Sequence, residues 1–247
     1  MKKVLLIIII LGVIFGIFYF LDKKEAIAPV VVPPVVITPV VNESKKVELC
    51  FAKFGTPDLD GNYDKYTLRL MLNGEKTKGE LNFLPKEKDT KTGEFEGTVG
   101  AVDKVMMART ADLWWFTFGE GMNVKEQLKI IFGEGTARIG FGEMVDRGDG
   151  VYIYKNPEKI SYTLNLTDVA CADLVERANV ENYLRDNIGT LSLVKPVLGG
   201  TWYVVSLTID LVKNLGTVVY EDGHIQEKKD FSYTINEKQE VLSLTIK

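Results

Sequence analysis

The chain contains one histidine, His224, and two cysteines, Cys50 and Cys171, among its 247 residues. A single imidazole rules out histidine-rich zinc sites. Any Ser-His-Asp or Cys-His catalysis would have to use His224, which directly follows the tight-turn pair Asp222-Gly223 and so reads as a hairpin residue. Clustered positive charge is also missing. The 30 Lys and Arg are spread among 34 Asp and Glu, for a net charge of −4. Nucleic-acid binding needs a basic face to neutralise phosphates, so that class is disfavoured.

Long apolar runs are absent but for one. Val4–Leu21 holds 18 residues without a charge, directly behind Met1-Lys2-Lys3. At about 1.5 Å per residue this run is long enough to cross a bilayer core of roughly 30 Å. Lys2 and Lys3 precede it, whereas Asp22, Lys23, Lys24 and Glu25 behind it balance. The positive-inside rule then expects a cytoplasmic N-terminus and an extracytoplasmic body, with the lipid bilayer as a partner. Residues 1–27 are expected to be a membrane anchor with its span at 4–21. A cleaved secretory signal is the competing reading, with Ala26-Ile27-Ala28 as the cleavage site, although Pro29 would then become the new terminus.

Prolines number eight, and four of them (Pro29, Pro33, Pro34, Pro39) fall within 28–41. Proline fixes φ and removes a donor, so 28–45 is expected to be an extended linker rather than a strand, at about 3.1 Å per residue. Two cysteines in an exported domain predict a disulfide, Cys50–Cys171; the alternative is two separate buried thiols.

The remaining sequence is rich in period-two alternation. Tyr66, Leu68, Leu70 and Leu72 oppose Thr67, Arg69 and Met71, and Asn73-Gly74 supplies residues for an I′ hairpin turn. Ile160, Tyr162, Leu164 and Leu166 oppose Ser161, Thr163, Asn165 and Thr167. Leu128–Phe132 and Thr136–Phe141 predict a hairpin turned at Gly133-Glu134-Gly135. Asp103–Phe118 is either a helix capped by Asp103 or a loop leading into an aromatic strand. Residues 46–172 are therefore expected to form an antiparallel β sandwich or barrel.

Residues 173–247 are expected to form a small α+β module. Asp173 and Glu176 suggest a capping box, Val180, Tyr183, Leu184 and Ile188 one apolar face, and Gly189 the helix end. Four strands follow, with Tyr203, Val205, Leu207 and Ile209 aligned in the first. One helix packed on a four-stranded antiparallel meander is the economical arrangement. The expected fold class is mostly β with this α+β C-terminal module, behind an N-terminal transmembrane helix.

Several motifs have a functional and a plainer reading. Asp58 to Asp64 (DLDGNYD) resembles a calcium loop, but its glycine is fourth and Arg69 stands where a bidentate Glu belongs, so a polar turn is expected. Phe-Gly-Glu recurs at Phe118, Phe132 and Phe141; converging acidic turns are the sharp reading, and strand ends with core phenylalanines the plain one. Gly133–Gly142 lacks the spacing of a nucleotide loop. Arg147-Gly148-Asp149 reads as a turn. Trp114-Trp115 is a candidate carbohydrate or aromatic platform, with at least one indole expected in the core.

The strings FEGTVG, MMARTADLWW, IIFGEGTARIGFGEMVDRGDGVY, VENYLRDNI, GGTWYVVS and YEDGHIQEK resemble a group of bacterial single-span cell-envelope proteins with no assigned activity. The resemblance covers roughly Leu49 to Ile246 and implies an envelope location, without a role for any residue. No catalytic, cofactor-binding or metal-binding residue is expected, and no cofactor. The leading expectation is a membrane-tethered extracytoplasmic binding or structural protein whose partner is an envelope protein or a small ligand. Two alternatives are a barrel carrying an apolar ligand and a carboxylate-dependent envelope hydrolase.

Overall fold

The computed structural model describes residues 46–247 apart from positions 88 and 120. The expected anchor and linker lie outside the described residues. Among the described residues no helix is long and apolar enough to cross a membrane.

Ten strands form the first sheet: β1 (Val47–Phe54), β2 (Lys65–Asn73), β3 (Lys76–Leu84), β4 (Lys91–Val99), β5 (Arg109–Gly119), β6 (Met122–Gly133), β7 (Thr136–Phe141), β8 (Met144–Asp146), β9 (Val151–Tyr154) and β10 (Ser161–Val169). Their order is β5-β4-β3-β2-β1-β10-β7-β6-β9-β8, and β5 also pairs with β6. That extra pairing closes eight antiparallel strands into a barrel, leaving β8 and β9 as a flap on the first half of β6. Closure leaves no unpaired edge among the eight.

Alternation puts Phe51, Leu68, Leu70, Leu81, Phe95, Leu113, Trp115, Ile130, Phe132, Ile139 and Leu166 inside, where they pack as one core. The expected β2 face is found as read, with Tyr66, Leu68, Leu70 and Leu72 all buried. One local reading is corrected and one open choice is decided. The β2–β3 turn is Gly74-Glu75, with φ 66° at Gly74 and a negative φ at Glu75, because Asn73 pairs with Lys76. Glycine at the first central position fits a II′ rather than a I′ turn. For Asp103–Phe118 the second of the two expected readings is found: a hydrogen-bonded loop leads directly into the aromatic strand β5.

A single helix, α1 (Cys171–Leu191), follows β10, and then β11 (Tyr203–Asp210), β12 (Leu215–Glu221), β13 (Gln226–Ile235) and β14 (Val241–Ile246) form a separate antiparallel meander in sequence order. Val180, Leu184 and Ile188 pack against Val204, Leu207, Ile209, Val218, Tyr220, Phe231 and Tyr233. The helix starts earlier and ends later than expected. Ala170 is its N-cap without a side-chain bond, and it runs past Gly189 to Leu191. Glu176 makes no capping box; it is buried and accepts a bond from Tyr233 Oη at 2.7 Å. Within β11 a bulge between Val204 and Ser206 shifts the alternation. Val204, Leu207 and Ile209 therefore face the core, while Tyr203 and Val205, expected on that face, do not. Asp222-Gly223 opens a four-residue connection rather than a two-residue turn, since Glu221 pairs with Gln226.

Several contacts hold this helix and meander to the barrel, among them Arg177 of α1 over the Phe54 ring of β1 at 4.5 Å. Cys50 and Cys171 are joined by a disulfide with Cα atoms 5.2 Å apart, fixing the start of α1 to the outer face of β1. Lys65 Nζ lies 2.9 Å from Glu181 Oε1. The β1–β2 connection docks on the sheet face opposite α1, where Ser206 Oγ donates to the Asp60 carbonyl and Lys228 Nζ to that of Leu59.

Candidate functional site

The aromatic run of β5 alternates across the barrel wall. Ala111, Leu113, Trp115 and Thr117 point inward and are buried, and Trp115 Nε1 donates to the Gly93 carbonyl at 3.0 Å. Trp114, Phe116 and Phe118 therefore point outward, with Phe116 42% and Phe118 54% exposed. Trp115 packs in the core, as expected of at least one of the pair, and Trp114 is half-buried on the outer face. The exposed phenylalanines were missed, although Asp112, two residues before Trp114, marks the same face as outward.

Strand register extends this face. Glu48, Met71, Lys78, Glu96 and Trp114 are successive partners across five strands, a span of roughly 19 Å. They form the floor of an open groove of about 890 Å³, whose remaining walls include Val47, Lys46 and Lys76. The next outward positions are Arg69, Glu80 and Glu94, with Phe116 beside Glu94 in a shallow hollow of about 210 Å³. Glu80 and Glu94 are directly opposed, an arrangement that like charges disfavour on a sheet.

Cations sit over the rings. Lys125 Nζ lies 5.2 Å from the Trp114 ring and 5.0 Å from the Phe116 ring, and the Arg147 guanidinium is 5.9 Å from Trp114. Ring quadrupoles attract cations at such distances. The groove thus joins flat aromatic surface, carboxylates and ammonium groups on one rigid wall.

The other motifs take their plainer readings. Asp58 Oδ1 accepts the amides of Asp60 (2.9 Å) and Asn62 (2.8 Å), while Oδ2 pairs with Lys86 at 2.5 Å. Lys86 first, then these amides, hold the Asp58 carboxyl below its usual range. Glu134 lies in the β6–β7 turn, whereas Glu143 follows β7 at the far end of the barrel, so these two acidic turns do not converge. Of the three phenylalanines, Phe132 is buried but Phe118 and Phe141 are exposed, which corrects the core assignment for two of them. Arg147 and Asp149 pair with each other at 2.5 Å across their turn.

His224 is exposed; its backbone amide donates to Asp222 Oδ1 at 2.9 Å. Burial works against the Asp222 charge, but the amides of Ile225, Val197 and His224 outweigh it and hold the carboxyl below its usual range. Glu48 lies beside Cys50 and Cys171, yet both sulfurs are consumed by the disulfide, which removes the thiolates a metal would need.

No protein-family profile matches the chain, and no curated protein or solved structure is significantly similar to it.

Proposed function

We propose that the protein is a membrane-tethered, extracytoplasmic binding protein of the cell envelope, and that its ligand is an envelope polysaccharide laid across the outer wall of the barrel. The observation that carries this reading is the register row from Glu48 to Trp114, which floors a long groove and ends on a half-buried, outward-facing indole beside the exposed Phe116. Sugar rings offer apolar faces to aromatic side chains and hydroxyls to carboxylates, amides and ammonium groups. Trp114, Phe116, Glu94, Glu96 and Lys78 supply both kinds of contact on one surface. Strand addition is not available on a closed wall, so recognition falls to side chains. The apolar run Val4–Leu21 supports the tether, and the disulfide suits an oxidising compartment.

The test is a titration of the purified chain with soluble envelope glycan fragments, followed by tryptophan emission and calorimetry. Binding that Trp114→Ala and Phe116→Ala each weaken at least about tenfold, or about 1.4 kcal/mol, supports it. Binding that neither substitution changes defeats it.

A filled barrel interior, with Trp115, Phe95 and Phe132 among its occupants, weighs against the apolar-ligand carrier. The opposed pair Glu80 and Glu94 favours a second reading, glycan hydrolysis at the same groove. Turnover of the fragments that Glu80→Gln or Glu94→Gln abolishes would replace the binding reading with that one.

A further inference from the structure

The β4–β5 connection presents apolar side chains to water from a rigid frame. Val102, Val105, Met106 and Met107 are 53%, 94%, 48% and 56% exposed. Three of them are consecutive, an arrangement that a water-facing loop has no reason to keep.

The frame is well braced. Asp103 N donates to the Ala108 carbonyl at 2.8 Å, and Asp103 Oδ1 accepts the amides of Val105 (2.8 Å) and Met106 (3.0 Å). Arg109 Nε ties the base to the Gly100 carbonyl at 2.8 Å. Met107 has a φ of 49°, in the left-handed region that its side chain disfavours. A Cβ on Gly133 would lie 2.4 Å from the Met107 carbonyl oxygen, so the close approach of β6 that supports this turn requires glycine there. The loop is thus fixed with its methionines and valines outward.

We infer that this tip inserts into the lipid interface of the membrane that carries the protein. The inference rests on the tether proposed above. Three observations point to lipid. First, the tip shares its end of the barrel with the start of β1: Val47 aligns through Leu72 and Thr77 with Gly97, at the end of β4. The chain from the apolar run therefore enters the barrel beside this loop. Second, the tip is a narrow turn closed by the Asp103–Ala108 bridge, with Val105, Met106 and Met107 exposed at its apex, which suits insertion between headgroups to a depth of about 5–10 Å. Third, Asp103 turns its carboxylate onto its own loop amides, leaving Lys104 as the outward charge of the tip. Lys46 and Lys76 lie at the same end. Glu75 and Glu134 offset part of that charge, so the apolar side chains dominate the contact and anionic headgroups add to it.

The test uses the full chain reconstituted in vesicles of phosphatidylglycerol and phosphatidylcholine. A polarity-sensitive fluorophore is placed by Met106→Cys, and a control by Met122→Cys, an exposed apolar position at the opposite end of the barrel. The expected result is a blue shift and loss of emission to lipid-borne nitroxide at 106, with neither at 122. A probe at 106 that stays unquenched while the chain resists alkaline washing overturns the inference and leaves the tether standing. Release of the full chain by the wash overturns both. Protection of position 106 only when envelope proteins are added assigns the tip to a protein partner and also overturns it.

Discussion

The ammonium of Lys65 lies 2.9 Å from Oε1 of Glu181, joining the first residue of β2 to the middle of α1. Arg185 Nη2 reaches the same oxygen at 2.8 Å. Burial alone would raise the Glu181 carboxyl, but Lys65 and Arg185 outweigh it and hold it below the usual range. A depressed carboxyl contributes stability above its unfolded pKa and loses it as pH falls through the folded value. Glu181→Gln should therefore lower stability at neutral pH by about 1–2 kcal/mol. The difference from the natural chain should shrink on acidification below about pH 4.3. Urea midpoints of both proteins across that range measure this, and a constant difference would refute it.

Reduction of Cys50–Cys171 should cost more than any single surface change. The bridge spans a sequence separation of 121 residues. Loop-closure entropy gives about 5 kcal/mol, an upper-end figure. Denaturation with and without reductant, and of the Cys50→Ser, Cys171→Ser double variant, should give matching losses.

The two adjacent tryptophans should separate stability from binding. Trp115→Ala removes a buried indole and should destabilise by about 3–5 kcal/mol. Trp114→Ala should cost under about 1 kcal/mol, yet abolish glycan-dependent emission changes. Parallel thermal melts and titrations distinguish the two.

Gly61 has a φ of 79°, and a Cβ there would lie 2.7 Å from Ser206 Oγ. Gly61→Ala should destabilise by about 1–2 kcal/mol from backbone strain alone. Faster amide exchange at Asp60 to Asn62, with unchanged exchange in β2 to β5, would show that the damage is confined to the docked loop.

Much of the strand content was legible because side-chain alternation is a local property. Tyr66 to Leu72 and Leu164 to Leu166 needed no partner to reveal their buried face. The helix face at Val180, Leu184 and Ile188 was readable for the same reason. Its ends were not, because the disulfide at Cys171 and the contact of Glu176 with Tyr233 depend on distant strands. The bulge at Val205 is not legible in the sequence because Val204 and Val205 are both apolar and either can face the core. The candidate groove was partly visible in Trp114, but its floor joins β1 to β5, and only strand pairing brings Glu48 and Trp114 into one row.

The amino-acid order by itself determined that most of the chain from residue 46 on is extended, which faces of β2 and of the helix are apolar, and that two thiols were available to pair. Those properties follow from hydrophobic period and turn chemistry within a few residues. Tertiary structure alone decided that β5 meets β6 and closes the wall, that Trp115 rather than Trp114 enters the core, and that Val105 and Met106 stand clear of it. Such outcomes depend on registers between strands far apart in sequence, where a shift of one residue exchanges inside for outside.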